Sequence, residues 1–413
     1  MIDRRLRVLS VNQFFYPDSF GGVERVAYET TRRLAARGHD VHLVGQRMKP
    51  GTPDTEELFG LTVHRYGSAR GSRRFGGRTR SALLNSRPVM ERLLREHDFD
   101  VVMPHHFFPY YSYLGLTGAR AVPAILTFHA SYWQELKLEG AERSIGKPLE
   151  RLLFGRLARR AEVVCLRGAD RVVVLSDFSR ELLASCYPFA RSKVVRIPGG
   201  VDLERFHPAA DRGAVREMLG LPADRQIVFT ARRLVPRMGV ENLLLAMAEV
   251  RTEFPDAFLV VAGRGRLDAE LRELAVSTGI ADSVRFVGFV EDSDLVRYYQ
   301  AADLFVLPSL AFEGFGMVTL EALACGTPAL GTPIGATPEI LERLAPQLLL
   351  AGPEPHAIKR GVGVMLKWLS DTSAAKELRA LCRSYAESEY GWDRAVDSLE
   401  EQMRGLLGEN GRR

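Results

Sequence analysis

Residues 311–330 read AFEGFGMVTLEALACGTPAL. Glu313 and Glu321 stand either side of a seven-residue interval, with Gly314 and Gly316 directly after the first and the helix-forming run MVTLEALA after the glycines. A β-branched run, DLFVLPS (303–309), comes just before, so the region reads as a strand, a glycine turn and a helix start. Two carboxylates around such a turn admit three chemistries: an acid/base pair, a metal site, or a hydrogen-bonding grip on a sugar. Gly314, Phe315 and Gly316 can present free backbone N–H groups to a phosphate at the helix start. A carboxylate touching that phosphate would be repelled. Each Glu is therefore better used accepting hydrogen bonds from neutral hydroxyls, Glu313 from a sugar and Glu321 from a ribose. Hard cations want several oxygen ligands close together, and this stretch holds no Asp-x-Asp. Glycoside hydrolysis needs two carboxyls about 5–9.5 Å apart across the scissile bond, a separation these two do not exclude, but the rest of the chain is the wrong setting for it.

That chain has 413 residues, which suggests two domains rather than one core. Short apolar runs alternate with amphipathic helical stretches from end to end. The first half offers strands at 7–12, 41–45, 61–66, 100–104, 124–129, 171–176 and 194–198; the second repeats the scheme at 226–231, 257–263, 283–289, 303–309 and 328–332. Between the first two, Val23, Val26, Ala27, Leu34 and Ala35 recur at helical spacing, and Gly38 ends the helix. Strands separated by helices read as βαβ units and parallel sheets. The expected fold class is α/β, two Rossmann-like doubly wound domains facing each other across a cleft. Their seam is expected in IPGGVDLERFHP (197–208), with domains over 1–204 and 205–388.

Open α/β sheets bind ligands at the carboxyl ends of their strands, so the residues that follow strands are the informative ones. Gly21 and Gly22 open the first long helix, where N–H groups and the helix dipole suit an anion or a sugar; plain tight turning explains a Gly pair equally well. Arg233 follows the first strand of the second half, with Arg232 and Arg237 beside it, and a guanidinium there suits a diphosphate. His129 ends the strand AILTFH and is a contact to donor or acceptor, or a structural histidine. His105 and His106 are adjacent, so alternate faces hold them and paired metal ligation by them is not expected. The aromatics Phe107, Phe108, Tyr110, Tyr111 and Tyr113 line an acceptor pocket or, more simply, pack under a loop. Tyr16, His106 and Tyr132 are the acceptor-side candidates.

Composition excludes several classes. With 46% hydrophobic and 26% charged residues the chain is a folded globular protein. No apolar run approaches the roughly 20 residues that cross a bilayer, and MIDRRLRVLSVNQF runs straight into a strand without a signal-peptide core. The scattered Cys165, Cys186, Cys325 and Cys382 have neither metal-ligand nor disulfide spacing, which fits a cytoplasmic location. The net charge of +5 is mild, and 49 of the 56 basic residues are Arg. One run, residues 64–87, holds seven arginines and no acid. It is a solvated loop or a contact for an anionic acceptor or membrane edge; it lacks the interleaved aromatics of a single-strand nucleic-acid platform, and no nucleic-acid partner is expected. Oligomeric state is not legible.

Taken together, FEGFGMVTLEALACGTPAL, YPDSFGGVERVAYETTRRLAARGHDV, VVVLSDFSRELL, IPGGVDLERFHP, RRLVPRMGVENLL, VVAGRGR, VRFVGFV and AADLFVLPS resemble, in order and over nearly the whole chain, the retaining glycosyltransferases of the GT-B fold, family 4. The resemblance implies that Glu313 binds the transferred sugar, Glu321 the ribose, and Arg233 with the backbone around Gly316 the diphosphate. It further implies that Gly22 completes the donor site, that Val287 and Phe289 hold the base through backbone groups, and that His129 contacts the donor sugar. Arg237 is a further donor-side cation. Residues 389–413, around GWDRAVDSLEEQMRGLL, resemble the family's crossover helix, anchored by Trp392. The implied reaction is sugar transfer from a UDP- or GDP-sugar to a small molecule, lipid or glycan, with no cofactor beyond the donor and no metal. One departure stands out: where the family carries Gly-Arg-Leu, three residues, Lys-Gly, this chain has Arg232 for the first Gly and Met238 for the Lys. Three other readings stay open. A sugar-nucleotide 2-epimerase shares the architecture, a phosphorylase would need a cofactor lysine that no motif supplies, and a non-catalytic nucleotide-sugar-binding partner would suit Met238.

Overall fold

A computed structural model describes residues 4–19, 21–68, 77–131, 133–134 and 148–410. Tyr132 and the centre of the arginine run lie outside the described residues. The chain divides into two units, residues 1–198 with 392–413, and residues 199–391. The first seam thus falls at Pro198, slightly before 204, and the last at Gly391, slightly after 388.

The first unit is built on β1 (Arg7–Val11), β2 (Asp40–Gln46), β3 (Thr55–Leu58), β4 (Leu61–Tyr66), β5 (Val101–Pro104), β6 (Ile125–Phe128), β7 (Arg171–Val174) and β8 (Val194–Arg196). Their order is β3-β4-β2-β1-β5, continued by β6-β7-β8 through a parallel bridge from Val102 to Ala124. Every pair is parallel except β3 with β4. β5 and β6 are buried along their whole length, as strands covered on both faces must be, and this explains their unbroken apolar runs. Among the described residues, the one strand absent from the sequence reading is β3. Its residues TEEL alternate between exposed and half-buried, so no apolar run announces it; the tight turn through Phe59 and Gly60 holds it as a hairpin edge on β4.

Val26, Ala27, Thr30, Thr31 and Leu34 are buried on helix Gly22–Ala36. The last helix, Trp392–Asn410, belongs to this unit and ties to the same helix region: Arg37 pairs with Asp397 at 2.6 Å and Glu400 at 3.3 Å, and Trp392 is buried. Phe108, Tyr110 and Tyr113 of helix Phe107–Tyr113 are buried in the core, so the aromatic run is packing in the main.

The second unit carries β9 (Gln226–Ala231), β10 (Ala257–Ala262), β11 (Val284–Gly288), β12 (Leu304–Leu307) and β13 (Ala329–Gly331), all parallel, in the order β11-β10-β9-β12-β13. From β9 the chain winds outward to β10 and β11, then returns to the other side of β9 at β12. That reversal makes the carboxyl ends of β9 and β12 the topological switch point, the place where such sheets bind ligands. Asp303, at the start of β12, fixes the join: it accepts from Ile227 N at 2.7 Å and pairs with Arg212 at 2.7 Å and Arg216 at 2.6 Å. The first unit reverses in the same way between β1 and β5.

Candidate functional site

At the second unit's switch point, β9 delivers Arg232 and β12 delivers Ser309 and Glu313. Arg232 Nη2 donates to Glu313 Oε2 at 2.7 Å, to Ser309 Oγ at 3.0 Å and to Met238 Sδ at 2.7 Å. Ser309 Oγ donates to the same carboxylate oxygen at 3.0 Å. The Arg232 and Glu313 side chains are only 7% and 12% exposed, so the ion pair sits largely away from water, where the attraction between the charges is screened less than on a surface. Its neighbour Arg233 differs in character: it is exposed, and its side chain makes no ion pair or hydrogen bond among the described residues.

Two glycines make this junction possible. Gly239 has φ +70°, and a Cβ there would lie 1.8 Å from Pro308 O, so the loop after β9 can press against the end of β12 only without a side chain. Gly335 has φ +63°, and its Cβ would meet Glu313 O at 2.1 Å; the same carbonyl accepts from Ala336 N at 2.8 Å. Glu313 is thereby held at its backbone as well as its carboxylate.

Beyond Glu313 the chain turns through Gly314, Phe315 and Gly316, the last at φ +85°, into helix Met317–Ala324. Phe315 is buried, its ring edge against Gly199 and near Tyr390, which turns the side chain inward and leaves the backbone as the turn's polar surface. The first N–H groups of the helix have no partner within it. Glu321, on the second turn, accepts a hydrogen bond from Tyr299 Oη at 2.8 Å. Burial, and then the carboxylate itself, push the Tyr299 phenol well above its usual range, so it remains a donor.

β11 ends in an irregularity. Val261 faces Phe286 and Ala262 faces Gly288, which leaves Val287 as the extra residue of a bulge, outside the ladder's pairing. Gly288 O is taken by Gly263 N at 2.7 Å, and Phe289 beyond it is 44% exposed. Arg237 gives its carbonyl to Leu310 N at 2.9 Å, which fastens the β9 loop to the β12 loop.

In the first unit the switch point gathers histidines. His129 follows β6 and its Nε2 lies 3.4 Å from Nδ1 of His105, with the rings stacked 5.6 Å apart. His106 packs edge-on against Phe14. Burial lowers the His129 imidazole to about 4 and His106 to about 3, and takes His105 well below the usual value, so all three are neutral near pH 7. His105 Nε2 and His106 Nδ1 are buried without a hydrogen-bond partner. Tyr16 packs at a tilt against Tyr28, ring centroids 4.7 Å apart, and lies under the Arg25 guanidinium at 4.3 Å, on the flank of the first helix. Gly22 opens that helix in an exposed position with nothing within 4 Å of a Cβ. Among the described residues no group of three or more His, Cys, Asp or Glu is placed to hold a metal ion, and no helix is long and apolar enough to cross a membrane.

The structure therefore unites Glu313, Gly314, Phe315, Gly316 and Glu321 with the β9 end, and separately unites His129 with His105 and His106. Sequence reading had passed over Ser309 and Tyr299 and ranked Arg232 behind Arg233. Ser309 stands just past the end of β12, and a polar residue at a strand's carboxyl end is a usable signal; Tyr299 lies on another helix, with no local signal at all.

Residues 20–205 match the family described as Glycosyltransferase Family 4, and residues 211–389 the family described as Glycosyl transferases group 1. A GDP-mannose-dependent alpha-(1-6)-phosphatidylinositol monomannoside mannosyltransferase of Mycobacterium tuberculosis is 30% identical over 97% of this chain and 98% of its own length. D-inositol 3-phosphate glycosyltransferase 1 of Catenulispora acidiphila is 30% identical over 95% and 92%. Among solved structures, sucrose-phosphate synthase of Thermosynechococcus elongatus superposes with a TM-score of 0.78 at 22% identity, covering 98% of this chain and 100% of that one. Anabaena HepE in complex with UDP and glucose superposes with a TM-score of 0.72 at 19% identity, covering 97% and 100%.

Proposed function

Because the chain belongs to the group 1 and family 4 glycosyltransferases, nucleotide-sugar-dependent enzymes of the GT-B fold, we propose that it transfers a sugar from a nucleoside-diphosphate donor to a hydroxyl acceptor with retention of anomeric configuration and without a divalent ion. The relatives favour GDP-mannose as donor and, as acceptor, an inositol phosphate, free or in a lipid headgroup. The observation that carries the reading is the β9/β12 switch point, where Glu313 is fixed beside a buried guanidinium and directly before a helix N-terminus.

In this reading the acceptor oxygen attacks the anomeric carbon on the face from which the diphosphate leaves. The C1–O bond to the β-phosphate breaks with its electron pair on the phosphate oxygen, the acceptor O–C1 bond forms, and the acceptor proton passes to that leaving oxygen. Arg233, the N–H groups around Gly316 and the helix dipole stabilise the developing charge. Glu313 accepts from the sugar hydroxyls, Glu321, oriented by Tyr299, accepts from the ribose, and the backbone at the Val287 bulge with Phe289 receives the base. Neutral His129, with His105 behind it, serves as a hydrogen-bonding contact to the donor sugar rather than as an acid. In the first unit, Gly22 with its helix end is assigned to the donor, and Tyr16 and His106 to the acceptor. The exposed Arg78, Arg80 and Leu84 of helix Gly77–Leu84 suit a peripheral contact with anionic lipid.

Incubation of the purified protein with GDP-mannose and a phosphoinositol acceptor in EDTA tests this, with the product's anomeric configuration read by NMR. An α-linked product is expected. A β-linked product, or conversion of the donor to an epimer without acceptor, would overturn it.

A further inference from the structure

We propose that Arg232 is a cation for the donor's diphosphate in this chain, bridging it to Glu313 and taking over the charge that Met238 does not supply; this deepens the reading above and rests on it. The geometry is specific. Nη2 has two N–H bonds and three acceptors around it: Glu313 Oε2 at 2.7 Å, Ser309 Oγ at 3.0 Å and Met238 Sδ at 2.7 Å. One of the three, a thioether, is a poor acceptor for a charged donor. The other end of the group is under-used. Nε is buried without a partner, and Nη1 has none among the described residues. A side chain only 7% exposed, with its Nε buried and unmatched and its Nη1 without a protein partner among the described residues, is an incomplete site rather than a finished salt bridge.

Its surroundings say what would complete it. An anionic acceptor suits these donors best, since hydrogen bonds from a permanent cation to an anion are the strong ones. The turn Gly314–Gly316 and the N-terminus of helix Met317–Ala324 follow Glu313 directly and favour the same charge. An anion bound there meets the Glu313 carboxylate as a like charge unless a cation stands between them. Arg232, already on the carboxylate, is that cation. Arg232 Nη2 also lies beside the δ atom of Met238, within the reach of a lysine ammonium at 238, which stands two bonds beyond that atom. The backbone holds it there. Arg232 N donates to Ala262 O at 2.9 Å, and a Cβ on Gly263 would come within 1.7 Å of Arg232 O, so β10 closes tightly over the residue's main chain.

A merely structural role, neutralising Glu313, is separable in a Glu313→Gln background, where no carboxylate is left to neutralise and Arg232→Gln should still weaken a free nucleoside diphosphate by about tenfold or more. Affinities are measured by calorimetry for GDP and GMP, or for whichever of UDP, ADP and dTDP the wild-type chain binds, with the matching monophosphate. In Arg232→Gln the diphosphate should weaken by about tenfold to a hundredfold, the worth of a charged hydrogen bond, and the monophosphate by less than threefold. Arg232→Lys should recover most of the loss. The double variant Arg232→Gln with Met238→Lys should recover it as well, because it returns the charge from the other residue. Equal diphosphate affinity in wild type and a folded Arg232→Gln, or a folded Arg232→Lys that recovers none of the loss, overturns the proposal while leaving the transferase reading intact. A double variant that gains nothing over Arg232→Gln overturns it too. A wild-type chain that binds none of the four diphosphates overturns the donor reading, and this inference with it.

Discussion

Glu321 carries one assignment that a single substitution can decide. Its carboxylate is aimed by Tyr299 from another helix of the same unit, and a charged hydrogen bond to a ribose hydroxyl is worth about 1.5–3 kcal/mol. Glu321→Ala should therefore weaken the donor nucleotide by about ten- to a hundredfold in a calorimetric titration, and an unchanged affinity would remove Glu321 from the ribose. At this scale the sequence was a partial guide. The Glu-x7-Glu spacing and the strand ends located Glu313, Glu321 and His129. Arg232 was hidden by its company: in a chain with 49 arginines, no one arginine is conspicuous, and burial alone distinguishes it from exposed Arg233. Tyr299 and His105 were illegible because their partners, Glu321 and His129, are brought to them only by tertiary folding.

Among the elements, the loops after β9, β12 and β13 act as one assembly, pinned where backbone meets backbone at Gly239 and Gly335. Gly335 touches no proposed ligand, yet a methyl group there would be both strained at φ +63° and within 2.1 Å of Glu313 O. Strain of this kind costs about 1–3 kcal/mol. Gly335→Ala should lower the melting temperature by several degrees and reduce kcat by tenfold or more through displacement of Glu313. Wild-type turnover in that variant would mean that the Glu313 backbone does not set the reaction. Most strands were legible from their β-branched runs, since parallel strands buried on both faces are apolar throughout. β3 was not, because its residues TEEL face solvent and only the hairpin turn holds them. Nor was the bulge at Val287, a register shift between two ordinary-looking apolar strands.

On the scale of the whole molecule, two α/β units each reverse strand order at one point, and each places its polar strand-end residues there. The alternation of strand and helix announced that plan, and the late helix Trp392–Asn410 joins the unit that the chain began with. The central claim, that the second unit is built for a nucleoside diphosphate and holds it without a metal, is tested most directly by thermal melting of the wild-type protein with UDP, GDP, ADP or dTDP, each in magnesium and in EDTA. A ligand at a hundred times its dissociation constant adds about 2.7 kcal/mol to the folded state. The account predicts a clear rise in melting temperature with one base, GDP foremost, of the same size in both buffers. A rise seen only with magnesium, or none with any of the four, would contradict it.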